Sequence, residues 1–247
     1  MDLIRRLASN FLANLHLMAA FAAFWLVDLL AQRRLRQHGL DPRTVSGLTL
    51  WLGAGALVGA RIVYLLPTAS VFYRYPMDVI RINAGLSLYG ALAGATVAAL
   101  LYQRLRSAPF LAIADAYALF LPLGIALFRL TCFLHGLCGG RATDTLLGVQ
   151  FPGLTVPRYP SELYEGLLVL GLFAALLHAS LRKPPPGLLS AAFLIGYAIA
   201  RGLTDLTRIH VGFWSKADPW LAVAMGLIGI GAYLAALRYG RAAIKPQ

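Results

Sequence analysis

Pro109-Phe-Leu-Ala-Ile-Ala-Asp-Ala-Tyr-Ala-Leu-Phe-Leu-Pro-Leu-Gly-Ile-Ala-Leu-Phe-Arg-Leu130 is an apolar run long enough to cross a bilayer core, and it carries an arginine, Arg129, next to its last residue. A helix rises about 1.5 Å per residue, so about 20 apolar residues span the roughly 30 Å of hydrocarbon. The chain continues as Thr131-Cys-Phe-Leu-His-Gly-Leu-Cys-Gly-Gly-Arg141, a glycine-rich stretch with two cysteines and a histidine. An ionisable side chain at the end of such a run is costly unless something anionic compensates it. Arg129 is therefore a functional candidate from the outset.

Six more runs of this kind lie on either side. The candidate spans are Asn10–Leu30, Ser46–Leu66, Ala84–Tyr102, Pro109–Leu130, Ser161–Leu181, Gly187–Thr207 and Pro219–Leu237. None alternates as a barrel strand would, and backbone groups in lipid must bond within their own segment. The expected fold class is an all-α integral membrane protein. Its form is a seven-transmembrane-helix bundle, one polytopic domain over residues 1–247, with a long outer-side loop between helices 4 and 5. Leu181-Arg-Lys-Pro-Pro-Pro-Gly187 breaks the fifth span from the sixth, and Asp41-Pro42 separates the first from the second. No internal repeat supports an inverted-repeat transporter. Met1–Asn10 is basic, but the run behind it lacks a small-x-small cleavage site, so the first span is expected to stay in place.

The composition agrees. The 247 residues are 59% hydrophobic and 13% charged, about half the charge of an ordinary soluble domain. The net charge of +12 does not point to nucleic acid, because the basic residues lie mostly between the apolar runs. There they act as topology signals and as contacts for anionic lipid. Residues 31–45, 103–107, 182–186 and 238–247 hold eleven basic residues in 35 positions, against nine in 70 for residues 1–9, 67–83, 128–160 and 208–218. The denser set is assigned to the cytoplasm, which puts the N-terminus outside and the C-terminus inside.

Arg61 and Arg201 fall within apolar runs. A guanidinium is a planar fork of donors that keeps its charge and suits phosphate or carboxylate. Arg61, Arg129 and Arg201 together point to an anionic phospholipid headgroup. The plainer alternative is snorkelling, in which each arginine only stretches to the interface. Tyr64, Tyr89, Tyr164 and Tyr197 offer neutral hydrogen bonds to the same ligand, or serve as interfacial belt residues. Cys132-x-x-His135-x-x-Cys138 stays open between a metal site with only three ligands, nucleophilic catalysis, a disulfide, and simple packing. Gly53, Gly55 and Gly59, with Gly85 and Gly90, are read first as close helix contacts. Glu162 and Glu165 are read as helix-start acids of the fifth span beside Ser161, either of them a candidate proton acceptor, with capping the first reading for Glu162. Asp205 is read as the ion-pair partner of Arg201 four residues away.

Five segments in order resemble the prolipoprotein diacylglyceryl transferase family. Gly59-Ala-Arg-Ile-Val-Tyr-Leu-Leu66 is similar to its second-span motif, and Gly85-Leu-Ser-Leu-Tyr-Gly-Ala91 to its Gly-x-Ser-Phe-His-Gly-Gly element. Arg129 to Gly140 resembles its signature, Gly-Arg-x-Gly-Asn-Phe-x-Asn-Gly-Glu-x-x-Gly. Arg158-Tyr-Pro-Ser-Glu-Leu-Tyr-Glu165 resembles Arg-His-Pro-Ser-Gln-Leu-Tyr-Glu, and Phe193-Leu-Ile-Gly-Tyr-Ala-Ile-Ala-Arg201 matches a further element. The resemblance implies a seven-span enzyme of the bacterial cytoplasmic (inner) membrane. Such an enzyme moves the diacylglyceryl group of phosphatidylglycerol to the lipobox cysteine thiol of a preprolipoprotein and releases glycerol phosphate.

The resemblance places Arg129 and Arg201 at family positions for phospholipid binding and catalysis, with Tyr197 beside them. Taken with the residue reading, the expected site has Arg201, Tyr197, Tyr89 and His135 as catalytic residues and Arg129, Arg61, Gly140 and Tyr64 as phospholipid contacts, with no metal and no cofactor. The chain departs from the family pattern at Tyr89, where the family has histidine, and at Thr131, Cys132, His135 and Leu137 in the signature. Tyr89 removes the side chain best suited to general-base work at neutral pH. The alternatives are a paralogue with another acceptor, or a non-catalytic protein that binds or moves phospholipid.

Overall fold

The computed structural model describes residues 2–66, 86–106, 108–134, 136, 139–151, 153–210 and 212–244. Among these residues are seven helices: α1 (Asp2–Gln37), α2 (Pro42–Leu65), α3 (Leu88–Arg106), α4 (Phe110–Leu134), α5 (Ser161–Leu181), α6 (Leu188–Asp205) and α7 (Gly212–Ile244). There is no strand among the described residues; isolated bridges join Ala142 and Val149 to Arg158. Five stretches are long and apolar enough to cross a membrane: α2, α4, α5, α6 and, within α7, Lys216–Arg238.

Both breaks fall where the sequence puts them. Asp41 caps α2 by accepting from the Thr44 N–H (3.0 Å), with Pro42 in the first turn. Proline suits that position because it has no N–H to satisfy. The proline run separates α5 from α6, which starts after Gly187 at φ 87°. Several helices outrun their apolar stretches, since backbone hydrogen bonding in a helix does not require apolar side chains: α1 and α7 are far longer than expected. α3 starts at Leu88, four residues after the Ala84 expected for the third apolar run. α4 reaches Leu134, so Arg129 lies within a helix and not at its edge.

Contacts divide the chain into two compact units. In the unit Gln32–Ala116, α2 and α3 cross backbone to backbone. A Cβ on Gly59 would fall on the Gly90 carbonyl and 2.8 Å from the Gly94 Cα, and a Cβ on Gly90 would fall on the Gly59 carbonyl. Only glycine fits a crossing this close, as expected of small residues in membrane helices. The Tyr102 hydroxyl fixes one end by donating to the Thr44 carbonyl (2.6 Å). At the other, the Ser87 N–H donates to the Ala60 carbonyl (3.1 Å).

In the other unit, Met1–Ala31 with Tyr117–Gln247, α6 packs between α5 and α7. Gly124 of α4 lies against Val27 of α1, and the Tyr117 hydroxyl donates to the fully buried Asp28 carboxylate (2.5 Å). In both units many large apolar side chains face outward. Leu50, Val58, Leu167, Trp220, Leu227 and Ile228 each expose more than half their surface. Contiguous exposed apolar surface of this extent suits a lipid solvent and not water.

Candidate functional site

Three arginines and three acids meet in the second of these units. The hub is Glu165, in the second turn of α5, and its side chain is fully buried. Arg129 of α4 donates to one oxygen of Glu165 (3.0 Å), and Arg201 of α6 donates to the other (2.8 Å). Arg208, in the turn that closes α6, also reaches Glu165 (2.5 Å). Glu162, one turn back on the same face, takes Arg129 (2.7 Å) and Arg208 (2.9 Å). Asp218 of α7 pairs with Arg201. The Tyr197 hydroxyl donates to Glu165 (3.0 Å), and its ring stacks on Phe193 at 5.8 Å.

Formal charges in this network cancel, three against three. Removing one partner of such a buried set leaves a bare charge, at about 3–5 kcal/mol. The pairing is incomplete in one respect. The Nε–H groups of Arg129, Arg201, Arg208 and Arg158 are buried with no hydrogen-bond partner among the described residues. Each guanidinium thus spends its terminal nitrogens on carboxylates, or in Arg158 on a carbonyl, and keeps one buried donor. Buried donors without acceptors are costly, and a ligand supplying oxygens would relieve that cost.

The segment before α5 closes over one end of the network. Gly140 donates to the Tyr159 carbonyl (2.7 Å) and Arg141 to the Thr207 carbonyl (2.9 Å), while the Arg141 side chain reaches the Leu206 carbonyl. Arg158 donates back to the Gly140 carbonyl (3.3 Å). A Cβ on Gly140 would collide with the Ser161 hydroxyl and the Thr207 carbonyl and lie 2.9 Å from the Tyr159 carbonyl. Glycine is required here for close approach of the segment to the ends of α5 and α6.

Of the residues singled out from sequence, Arg129, Arg201 and Tyr197 come together at Glu165, and Gly140 lies at the closing segment. Arg61, Tyr64 and Tyr89 belong to the other unit, where the Arg61 guanidinium sits 5.6 Å from the Tyr64 ring centre. His135, Leu137 and Cys138 lie outside the described residues. Cys132 is buried.

Two expectations are corrected. Glu162 lies in the first turn of α5 but does not cap it: the residue before α5 is Pro160, there is no side-chain cap, and Glu162 is 2% exposed in the ion network. Arg201 pairs with Glu165 and Asp218 instead of Asp205, whose partner is His210 (3.5 Å). The Tyr164 hydroxyl, whose role the sequence leaves open, donates to the Leu147 carbonyl (2.6 Å). Sequence reasoning missed Arg208 and Asp218, counted only as loop charges or passed over, and the hub role of Glu165. The available signal was two acids at i and i+3 leading an apolar helix, a spacing that aligns both on one face.

Comparison with known proteins places the chain among relatives of one kind. The family model described as prolipoprotein diacylglyceryl transferase matches residues 11–235. A phosphatidylglycerol–prolipoprotein diacylglyceryl transferase of Idiomarina loihiensis is 34% identical over 230 residues, covering 85% of this chain and 82% of the relative. One from Bordetella parapertussis is 33% identical, covering 85% of this chain and 86% of its own length. A third, from Legionella pneumophila, is 34% identical at the same two coverages. The match takes in every helix of the Glu165 network and the segment that closes it. This chain belongs to the prolipoprotein diacylglyceryl transferase family of transferases.

Proposed function

We propose that this protein transfers the diacylglyceryl group of phosphatidylglycerol to the lipobox cysteine thiol of preprolipoproteins, with Arg129 and Arg201 holding the donor phosphate. The observation that carries the site assignment is the set of orphaned Nε–H donors on arginines that share Glu165. The carboxylates fix the guanidinium planes in advance, and the remaining Nε–H groups donate to phosphate oxygens. In the reaction the thiol sulfur bonds to the glyceryl carbon and the carbon–oxygen bond to phosphate breaks. Its electron pair leaves on glycerol phosphate, where fixed cations stabilise the growing charge.

The thiol proton needs an acceptor, for which Tyr89, Tyr197 and His135 remain the candidates. Tyr197 donates to Glu165 and is in addition placed to steady the hub. Arg61, Tyr64 and Gly140 complete the assigned phospholipid contacts, with no metal and no cofactor in the reaction. All seven helices cross the bacterial inner membrane as one domain in this reading. The N-terminus is outside, the C-terminus is cytoplasmic, and the long connection between α4 and α5 is on the outer side. The denser basic residues of the opposite loops support that orientation.

Purified protein, labelled phosphatidylglycerol and a lipobox peptide test the proposal. Lipidated peptide and released glycerol phosphate are expected, and both disappear in Arg201→Lys. Lipid binding with no turnover on this peptide would overturn the reading in favour of a non-catalytic protein or another acceptor.

A further inference from the structure

Between the two halves of the closing segment, the chain makes a tight turn that water does not favour. The Gly148 N–H donates to the Thr145 carbonyl (3.0 Å), so Leu146 and Leu147 are its two central residues. Glycine, proline, asparagine and aspartate usually fill those places in an exposed turn. Here both are leucine: Leu146 is fully exposed and Leu147 is 66% exposed. Leu154 and Val156, nearby in the same segment, are exposed as well.

The turn is held firmly in place. Val149 and Arg158 exchange backbone hydrogen bonds (2.9 and 3.0 Å), Thr143 donates to the Pro157 carbonyl (3.0 Å), and the Thr143 and Thr145 hydroxyls bond each other (2.9 Å). Its height relative to the spans is also fixed. The Tyr164 hydroxyl bonds the Leu147 carbonyl (2.6 Å), which ties the tip to the first turn of α5. Leu167, Leu168 and Leu170, one to two turns further along α5, are exposed apolar residues of a membrane-length helix. The exposed apolar surface of the tip thus continues that of α5.

We infer that the Leu146–Leu147 turn is an interfacial anchor, seated in the headgroup and acyl boundary of the leaflet next to the start of α5. Its partner is the lipid bilayer itself. Arg141 and Arg158, at the base of the turn, lie at headgroup height, with Asp144 beside them. Apolar tips with basic flanks bind lipid surfaces by buried apolar area and by attraction to anionic headgroups. The inference rests on the proposal that α5 spans the membrane. It assigns the closing segment a fixed seat on the leaflet next to the start of α5.

The test is depth-dependent quenching. Leu146→Cys is labelled with an environment-sensitive fluorophore in nanodiscs of phosphatidylcholine and phosphatidylglycerol. Wild-type protein taken through the same labelling is the blank for Cys132 and Cys138. Blue-shifted emission is expected, quenched at least about twofold by phosphatidylcholine bearing a nitroxide near the top of the acyl chain. Water-like emission insensitive to that lipid overturns the anchor. So does a blue shift seen only after a lipobox peptide is added, which would make the tip a peptide-docking site. A label at Leu170, read with phosphatidylcholine bearing a nitroxide deep in the acyl chain, separates the two levels of the argument: if it escapes that quencher, the spanning assignment of α5 has failed. A Lys183→Cys label supplies the aqueous reference.

Discussion

Replacing Glu165 by glutamine keeps the shape of the hub and removes its charge, and the cost can be worked from its contacts. One oxygen accepts from Tyr197 and Arg129, and the other from Arg201 and Arg208. Glutamine keeps one acceptor and turns an NH2 toward guanidinium donors. Two charge-assisted hydrogen bonds at about 1.5–3 kcal/mol each are lost, and three arginines are left facing two acids. Loss of one partner in a buried ion set gives a similar figure, about 3–5 kcal/mol. For a chain of this length each kcal/mol moves the melting temperature by roughly 2–4 °C, so Glu165→Gln should melt roughly 6–20 °C below wild type.

Intrinsic fluorescence during heating in detergent measures the shift. Glu162→Gln, with contacts to two arginines instead of three, should fall less. Adding Arg208→Gln to Glu165→Gln restores the charge balance and should recover about 1 kcal/mol or more over additivity. A Glu165→Gln protein that melts within about 2 °C of wild type would refute the hub. Strict additivity in the double variant would refute the charge argument.

The remaining predictions concern the site and the crossing of α2 and α3. Arg129→Lys cannot reach both Glu162 and Glu165 as the guanidinium fork does, and should lower transfer on the order of 10²-fold in the lipobox-peptide assay. Tyr197→Phe keeps the stack on Phe193 and loses the bond to Glu165, so a melting loss worth about 1.5–3 kcal/mol should accompany slower transfer. Gly140→Ala places a methyl group against the carbonyls of Tyr159 and Thr207. It should cut transfer more than it lowers melting temperature, because the closing segment shifts while the helices keep their packing. Gly59→Ala drives a Cβ into the Gly90 carbonyl and should cost about 1–3 kcal/mol on thermal unfolding.

The sequence by itself determined the class of fold and most of the helix positions. Apolar length decides membrane helices locally, and Asp41-Pro42 and the triple proline act on their own neighbours. It also singled out Arg129 and Arg201, since a charge in an apolar run is informative without knowing its partner, and Tyr197 through the family resemblance. Tertiary structure alone decided who the partners are. Arg201 looks four residues ahead to Asp205 on its own helix, yet it reaches across to Glu165 and Asp218, because buried charge is satisfied by whatever acid the packing of other helices brings within about 3 Å. Arg208 looked like one more loop cation until the end of α6 was seen to turn it inward. Glu162 and Glu165 belong to helix-start chemistry when read along the chain. Only the convergence of α4, α5, α6 and α7 makes them the counter-charges of three arginines.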